Sequence, residues 1–540
     1  MQSTFQHHLS RNAEILKNMK NEHEDAKALK LAKKLKNADN WKQLARWHAD
    51  GYYTLQTEDT GDMPVRVFLT AKLLKETEDI IYRQIVNATR FPGVKLVAIT
   101  PDTHYGYGVP VGCVILTGAE SGAVAMGPVG YDIGCGMVSA KSDIPADAAT
   151  SEKKMAFNTA VMKRVNMGAG GKSVKLGKLD RREFDNLIHG GAEYYVDKYG
   201  ATFDRSRAER HRLPVDDGWQ APLGGKGRPE RGFDQIGSLG GGNHFIELQK
   251  CEETGTIFVQ AHTGSRGWGH GLATNYFEIS RAEKPDVITD IDLGYFTPES
   301  EHYRSYLNAV ASGGNFAIIN RLVIFEQVAE AFSEVFGGEL ELIYEISHNL
   351  VQKETHPEFG EVWVHRKGAT RAFPAGHPAL DGTIWEATGH PVLIPGSNKD
   401  WSYILRPEAG AVASGFSVNH GAGRRMSRGE AMRNLNQRET DREYREAGIL
   451  VNTDGHVPLD ESAPCYKSSK EVIDAVVAAG LASVQYSLWP LASLKGTEEG
   501  RQSKAKREEK RAERRAEKKA QRQAGKKAMK EALEGSGEHY

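Results

Sequence analysis

A short glycine-rich stretch, GPVGYDIGCGM at residues 127–137, holds one carboxylate and one thiol three positions apart, Asp132 and Cys135. Three β-rich runs further along the chain each end in a histidine, namely His262, His348 and His420. A fourth histidine, His244, enters an apolar run from the glycine loop GSLGGGN. Strand ends are rigid, and the loops that follow them leave side chains accessible. These positions therefore suit metal ligands and nucleophiles.

These side chains form a mixed set of potential metal ligands. The set offers one carboxylate oxygen, one thiolate and three imidazoles, from Asp132, Cys135, His244, His262 and His348. A single histidine of this kind is more often a satisfied core or surface residue, so it is the clustering that favours a ligand role. The donors suit a divalent transition ion such as Mn²⁺, Zn²⁺ or Co²⁺, and they exceed what one tetrahedral ion requires. A shared thiolate could bridge two ions.

A second group of segments has the composition of phosphate-binding loops. Glycine occurs beside hydroxyl, Arg, Lys or His side chains in five places, at residues 102–112, 262–270, 365–374, 394–398 and 420–428. Backbone N–H groups on such loops and Arg side chains complement phosphate oxygens. The common nucleotide motifs do not fit, since Asn166 stands where a P-loop needs glycine and no Lys-x-Asp-Gly segment is present. A phosphate-bearing ligand bound in an unusual way is therefore predicted.

Composition places the chain among soluble globular proteins. Its 540 residues are 39% apolar and 26% charged, enough for one large domain with appendages or for two domains. No apolar run approaches the roughly 20 residues that cross a bilayer, and the N-terminus lacks a secretory signal pattern. Four cysteines without a CxxC pair predict reduced thiols. The cytoplasm is the expected location, with no membrane partner.

Charge is distributed unevenly along the chain. Residues 501–530 carry 14 Lys and Arg against 4 Glu, so this segment is +10 although the whole chain sums to −1. Such a tail could bind a polyanion such as RNA through counterion release. It could equally be a solvated helix that only aids solubility.

The chain divides into three parts by composition. Residues 1–62 are rich in helix formers and predict a helical extension with two amphipathic helices ending near Gly51. Residues 63–496 alternate short β-rich runs with helices, predicted at 71–88 and 308–335, which indicates a mixed α+β domain. Within it, residues 205–235 read as a long surface loop. Residues 497–540 form a basic tail, either helical or disordered.

Taken together, the motifs resemble the RtcB-type RNA-splicing ligases. The matching segments, in the order of that family, are GYDIGCGM, GGGNHFIEL, HTGSRG, SHNLVQKE, HRKGAT, PGSN, VNHGAGRRMSR and LKG. The resemblance implies an α+β catalytic domain with mixed and antiparallel sheets around a dinuclear metal site. It implies a GTP- and Mn²⁺-dependent ligase that joins an RNA 3′-phosphate or 2′,3′-cyclic phosphate end to a 5′-hydroxyl end, in tRNA splicing or RNA repair. Whether an accessory activator takes part is left open.

The resemblance also implies roles for individual residues. Asp132, Cys135 and His244 would hold one Mn²⁺, and Cys135, His262 and His348 the second. His420 would be the nucleophile that takes GMP as a phosphoramidate. Positions that match the surroundings of the guanylate are Asn243, His244, Glu247, His348, Asn349, Pro395, Gly396, Ser397, Asn398, Ser402, His420, Gly421, Ala422, Gly423, Tyr466 and Lys495. Asp102 matches a further active-site position without an assigned role.

The nucleotide loop departs from the family pattern. Where the family commonly continues PGSMGTAS, this chain reads PGSNKDWS at residues 395–402. One alternative is therefore a metal-dependent RNA end phosphatase or cyclic phosphodiesterase that has lost guanylylation. Another is an RNA-binding scaffold with a relic site, against which the complete ligand set with His420 and Lys495 argues.

Overall fold

The computed structural model describes residues 35–63, 65–200, 204–207 and 212–496. The predicted basic tail and most of the predicted N-terminal helices lie outside these residues. The helices are α1 (Trp41–Leu44), α2 (Ala71–Glu76), α3 (Ile81–Ala88), α4 (Ser151–Arg164), α5 (Arg181–Tyr199), α6 (Arg266–Glu283), α7 (Tyr303–Phe336), α8 (Arg428–Asn434), α9 (Gln437–Glu446) and α10 (Ser469–Ala478).

Two large sheets organise the described residues. The first contains β1 (Arg46–His48), β2 (Tyr52–Leu55), β3 (Val65–Val67), β4 (Val94–His104), β5 (Val111–Gly118), β12 (Asn349–His356) and β13 (Gly360–Lys367). Its order is β1-β2-β3-β4-β5-β13-β12. All its neighbouring pairs are antiparallel except β3 with β4, which is parallel.

The second sheet has eight strands. They are β7 (Gly136–Pro145), β8 (Phe245–Cys251), β9 (Thr256–Thr263), β11 (Glu341–Ser347), β15 (Val392–Ile394), β16 (Ser402–Pro407), β18 (Leu450–Val451) and β19 (Ala482–Lys495). The main order is β11-β7-β9-β8-β19-β16-β15, and β18 pairs in parallel with β19. Two small ladders pair β6 (Val124–Ala125) with β10 (Tyr295–Phe296), and β14 (Ala369–Arg371) with β17 (Ser417–Asn419). Mixed and antiparallel pairing with surrounding helices confirms the predicted α+β class.

Helix α7 lies at the centre of the largest core. Its 34 residues contain the predicted helix 308–335, and most of them are buried. Side chains from α4, α5, α6 and the eight-stranded sheet join it in one hydrophobic cluster, among them Phe157, Phe184, Trp268 and Ile246. A helix this apolar on all sides is stable only where protein covers every face. It therefore forms a rigid support behind the eight-stranded sheet.

The seven-stranded sheet is covered on both faces. Along β4, Val97 and Ile99 pack into one cluster together with α3, whereas Leu96 and Ala98 pack into another on the opposite face. This alternation follows from the two-residue period of a strand. Because both faces are buried, residues 96–99 of β4 and 113–116 of β5 form short continuous apolar runs in the sequence.

The N-terminal helical prediction is wrong over residues 46–55, although Trp41–Leu44 before them is a short helix. Residues 46–55 form a β-hairpin, not a helix, and β2 pairs with β3 of the predicted catalytic domain. Gly51, with φ of 88°, sits in the turn, and Tyr52 packs against Phe68. Asp-Gly turns and aromatic residues favour hairpins, a signal that the surrounding helix formers masked. The hairpin therefore belongs to the same sheet as the residues beyond 63.

Two smaller predictions differ in detail. The helix predicted over 71–88 is two helices, α2 and α3, separated by residues 77–80. The loop predicted over 205–235 is largely irregular where it is described, with single 3₁₀ turns at Arg205–Arg207 and Pro229–Gly232. Among the described residues, none of the helices combines the length and the apolar character needed to span a bilayer.

Candidate active site

Four neighbouring strands bring most of the predicted metal ligands to one edge of the eight-stranded sheet. β11, β7, β9 and β8 are adjacent in that order. Ser347 pairs with Gly136, and Gly136 pairs with Thr263 on its other side. Three ligands adjoin these paired residues in the chain, namely Cys135, His262 and His348, and His244 directly precedes β8. Antiparallel pairing thus brings side chains together that are far apart in the sequence.

The loop that directly precedes β7 contains a tight turn at residues 132–135. The N–H of Cys135 donates to the carbonyl of Asp132 at 3.1 Å, and Gly134 adopts φ of 74°. A side chain at Gly134 would strain this left-handed conformation. Burial and the charge of Asp132 raise the pKa of the Cys135 thiol well above its ordinary value. A bound cation would therefore displace the thiol proton on binding.

Five side chains form two overlapping groups that share Cys135. Asp132 and His244 complete one group, and His262 and His348 complete the other, with the ligand atoms of each group within 4.8 Å of one another. Cys135 Sγ lies 3.2 Å from His262 Nε2 and 3.6 Å from His244 Nε2. The Nε2 atoms of His262 and His348 are 3.1 Å apart. The donor types and the shared sulfur fit two borderline divalent ions.

Backbone carbonyls orient two of these imidazoles. Nδ1 of His244 lies 2.9 Å from the carbonyl of Leu239, and Nδ1 of His262 lies 3.1 Å from the carbonyl of Asn243. When a cation binds, a proton on each Nδ1 would leave Nε2 available as a ligand beside the thiol. Burial lowers the pKa of His262 and of His348 well below the ordinary value, so both rings are neutral.

Asp132 is held by contacts that favour its ionised form. Its Oδ1 accepts the N–H of Ser265 at 3.0 Å, and its Oδ2 lies 3.1 Å from His244 Nε2. Burial alone would raise its pKa, but the hydrogen bond and charge of His244 and the charge of Arg266 hold the pKa well below the ordinary range. A Cβ at Gly264 would lie 2.3 Å from the carboxylate. The absence of a side chain at Gly264 therefore leaves room for the carboxylate of Asp132.

The side chain of Arg321 connects the segments that carry three ligands. This fully buried residue of α7 donates to the carbonyl of Gly134 at 2.6 Å and to the carbonyl of Thr263 at 2.9 Å. It also donates to Ser347 Oγ at 2.6 Å and pairs with the buried carboxylate of Glu345. Each contacted loop residue directly adjoins a predicted ligand. The guanidinium thus fixes three strand ends relative to one another.

His420 lies beside these ligands but on the opposite wall. It follows β17, and its ring centroid is 4.9 Å from that of His348. Its Nδ1 lies 2.6 Å from Oδ2 of Asp102, which also accepts the N–H of His420 at 3.0 Å. Asp102 sits where β4 loses regular register with β5. Such bulges commonly aim side chains into active sites.

The environment of Asp102 keeps it charged. Burial alone would raise its pKa, but the charge and hydrogen bond of His420, and a hydrogen bond from Thr100 at 2.6 Å, hold the pKa below the ordinary value. An ionised carboxylate at Nδ1 requires the imidazole proton there. Nε2 of His420 is then the nitrogen with a free lone pair.

A cavity of about 400 Å³ joins these walls. Its lining includes most of the predicted site residues: Asp132, Cys135, Asn243, His262, His348, Asn349, Pro395, Gly396, Ser397, Asn398, His420, Gly421, Ala422, Gly423, Tyr466 and Lys495. Three predicted residues stand behind this lining. His244 contacts Asp132 and Cys135, Ser402 Oγ accepts the N–H of Gly396 at 3.0 Å, and Glu247 accepts from Gln249 at 2.8 Å.

Charged groups at one end of the cavity have shifted pKa values. Burial raises the pKa of Glu247 to about 7 and lowers the pKa of Lys495. Arg428 pairs with Glu461 at 2.8 Å, and Arg424 donates to the carbonyl of Asp460 at 2.7 Å. This end offers the cationic Lys495 to a ligand, and the protonatable carboxyl of Glu247 lies behind the lining.

The loop at residues 395–402, which departs from the family pattern, is anchored mainly outside the cavity. Lys399 pairs with Glu443 of α9, Asp400 accepts the N–H of Ser469 in α10, and Trp401 packs edge-on against Trp489 of β19. Asn398 differs, because it lines the cavity. Its Oδ1 accepts from the hydroxyl of Tyr444, and its Nδ2 has no partner among the described residues. Three of the four residues that differ from the family pattern thus contact other parts of the protein. The fourth, Asn398, contributes to the wall of the cavity.

Sequence reasoning did not identify Arg321, and it gave Asp102 no role. The signal for Arg321 was available, since a charged residue inside the apolar run of α7 can be buried only with partners. The pairing of Asp102 with His420 had no such signal, because the two residues are 318 positions apart.

Comparison with known proteins agrees with this geometry. Residues 84–496 match the family described as tRNA-splicing ligase RtcB, and the chain belongs to the RtcB family. The tRNA-splicing ligase RtcB of Thermococcus kodakarensis is 34% identical over 462 residues, covering 80% of this chain and 95% of that protein. The RNA-splicing ligase RtcB of Mycobacterium tuberculosis is 34% identical over 439 residues, covering 76% of this chain and all of its own length.

Proposed function

We propose that this RtcB-family chain is an RNA ligase that joins RNA 3′-phosphate or 2′,3′-cyclic phosphate ends to 5′-hydroxyl ends, using GTP and two Mn²⁺ ions. The observation that carries the proposal is the position of His420, which is held through Nδ1 by Asp102 and lies beside the thiol and histidine groups. The relatives named above are RNA- or tRNA-splicing ligases, which supports RNA as the substrate.

The first step belongs to His420. Its Nε2 attacks the α-phosphorus of GTP, an N–P bond forms, and the bond to pyrophosphate breaks. The ionised Asp102 keeps the proton on Nδ1 and stabilises the positive charge that develops on the ring. Cations held by the two ligand groups would neutralise phosphate charge during transfer.

Two further transfers complete the reaction. A 3′-phosphate oxygen of the RNA takes the GMP from His420, which regenerates the imidazole. The 5′-hydroxyl then attacks the activated phosphorus, a phosphodiester forms, and GMP leaves. A cyclic phosphate end must first be opened by water. The end of the cavity lined by Lys495, with Glu247 behind that lining, would hold the guanine base.

A labelling experiment tests the proposal directly. Incubation with α-labelled GTP and Mn²⁺ is expected to transfer one GMP to the protein, located on His420 by peptide mass analysis. His420→Ala should acquire no label, and His456→Ala, at an exposed position that does not line the cavity, should label normally. Labelling of the His420→Ala protein would refute the assignment. Release of phosphate from RNA ends without labelling or joining would favour the phosphatase alternative.

The proposal also covers the domain boundaries of the chain and its cellular compartment. We propose a catalytic unit that includes the hairpin 46–55 and residues 63–496, with the basic tail at 497–540 serving RNA binding. The four cysteines are free and buried in the structure, which supports a reducing compartment such as the cytoplasm.

A further inference from the structure

The loop between β4 and β5 exposes two aromatic side chains at the catalytic cavity. Tyr107 is 65% exposed and lines the cavity, whereas Tyr105 is 54% exposed and does not line it. The loop follows His104, whose ring centroid is 6.4 Å from that of His420. Tyr107 is therefore an exposed aromatic surface within the same cavity as the proposed nucleophile.

The loop backbone is fixed from below by buried side chains. Gln84 donates to the carbonyl of Gly106 at 2.6 Å and accepts its N–H at 3.1 Å. Asn87 donates to the carbonyl of Gly108 at 2.8 Å. These residues belong to α3, which packs under the sheet. The loop is thus bonded through its main chain, and its aromatic side chains are left outside.

A buried lysine adds a third anchor. Nζ of Lys367 donates to the carbonyl of Tyr107 at 2.5 Å and to that of Val109 at 3.0 Å. Burial lowers the pKa of Lys367 to about 8. Burying a cation opposes folding, and the two hydrogen bonds to loop carbonyls offset part of that cost.

Tyr107 is also supported from the side. Its ring meets that of Tyr131 edge to face, with centroids 6.0 Å apart. Tyr131 in turn stacks on His270 at 5.5 Å and packs against Phe277 at 4.7 Å. A hydrogen bond from the Tyr131 hydroxyl to Asp292, at 3.2 Å, holds the supporting ring. The exposed ring is therefore preorganised, which lowers the entropy lost on binding.

We propose that Tyr107 is a stacking platform for an unpaired base of the RNA next to the ends being joined. This inference rests on the proposed RNA-joining function. Single-stranded nucleic acids bind through aromatic rings because every base has a flat apolar face. The platform would hold the terminal nucleotide while its phosphate or hydroxyl reaches the cavity.

Binding of RNA oligonucleotides with and without a base at the terminal nucleotide tests the platform. Labelled RNAs carry an abasic residue at the 3′-phosphate end, at the 5′-hydroxyl end, or at neither, and Kd is measured by fluorescence anisotropy. We expect the full-length protein to lose roughly tenfold in affinity for one abasic RNA. Tyr107→Ala should lose a similar factor with intact RNA and show no further abasic penalty. Tyr107→Phe, which keeps the ring, should restore both values.

Tyr105→Ala is the matched control, because this residue shares the loop and the exposure but not the cavity. It should behave as the unaltered protein. Equal binding of intact and abasic RNAs by the unaltered protein would overturn the platform, as would the same abasic penalty in Tyr107→Ala. Ligation measured in parallel separates the two proposals: joining without any base dependence refutes the platform alone, whereas absence of guanylylation and joining refutes the proposed function.

Discussion

The pairing of His420 with Asp102 determines which nitrogen of the proposed nucleophile can react. The carboxylate accepts from Nδ1 at 2.6 Å and is itself held by Thr100 and by backbone N–H groups. Those contacts fix both its charge and its position. Under the proposed function, Asp102 is thus a positioning residue that acts on phosphate only through the imidazole.

Replacing this carboxylate by an amide tests that role. In Asp102→Asn, an amide N–H can donate to Nδ1 and move the ring proton to Nε2, which removes the reactive lone pair. We expect the rate of His420 labelling by α-labelled GTP to fall on the order of 100-fold or more. Metal content measured by mass spectrometry should not change, because Asp102 lies outside both ligand groups. Labelling at the unaltered rate would contradict this role.

Glu247 should make stability depend on pH. Burial raises its pKa from 4.5 to about 7. The folded state therefore binds this proton more tightly than the unfolded chain does. The resulting stability is fully present below pH 4.5 and is lost as the pH rises through 7.

The amide variant Glu247→Gln should lack this pH dependence of stability. Between about pH 5 and pH 8, the free energy of unfolding of the unaltered protein should fall more than that of Glu247→Gln, by on the order of 3 kcal/mol. Urea denaturation followed by tryptophan fluorescence at several pH values measures the difference. Glu152→Gln, at an exposed position of α4, should follow the unaltered protein. Parallel curves for Glu247→Gln and the unaltered protein would show that the buried carboxyl does not titrate in this range.

Among the elements, α7 determines how accurately the ligand-bearing strands are placed. Its Arg321 bonds to residues adjacent to Cys135, His262 and His348. The neighbouring Asn320 accepts the N–H of Gly237 at 2.6 Å and donates to the carbonyl of Gly264 at 3.0 Å. The helix therefore holds the loops that carry the predicted ligands from one side, and strand pairing in the sheet fixes their positions from the other.

Arg321→Lys should loosen the site without removing the charge. A lysine can keep the pair with Glu345, but its three N–H donors lie on a single nitrogen and cannot span the four separated acceptors that the guanidinium reaches. Because supporting contacts of this kind tune metal binding, we expect Mn²⁺ affinity to fall about 10- to 100-fold in calorimetric titrations. The control is Arg164→Lys, which alters a surface ion pair between Arg164 of α4 and Glu334 of α7. This change should leave the Mn²⁺ affinity unchanged. An unchanged affinity in Arg321→Lys would show that the sheet alone positions the ligands.

At the scale of the whole molecule, charge separates the described body from the tail. The 14 basic and 4 acidic residues at 501–530 lie outside the described residues, so their role is argued from charge alone. A segment of this charge releases counterions when it binds RNA. Under this proposal, the tail would retain the RNA while the body acts on its ends.

Deleting residues 497–540 tests this division. We expect RNA affinity at about 0.1 M salt to fall roughly tenfold, and the dependence of log K on log salt to become shallower. Filter binding over a salt series measures both. A shorter deletion of 531–540, which contains no Lys or Arg, should change neither. An unchanged salt slope in the longer deletion would support the reading of the tail as a solubility helix.

Several features of the fold and of the candidate site could be predicted from local patterns in the sequence. The long apolar helix, the α+β class and the histidines at strand ends depend on periodicity and on residue type, which neighbours in the chain determine. The sequence missed the hairpin at 46–55 because helix propensity there opposed the Asp-Gly turn, and pairing with β3 decided the outcome. The family motifs supplied ligand and nucleophile candidates but not their distances.

The remaining features depend on contacts between distant segments. The sharing of Cys135 by two ligand groups, the bond from Asp102 to His420 and the three-way contact of Arg321 all arise from strand register and helix packing. A sequence shows which side chains can bind, donate or attack, because these are properties of residue types. Only the folded chain brings them within hydrogen-bond distance and removes water, and burial is what shifts the protonation of His262, His348 and Glu247.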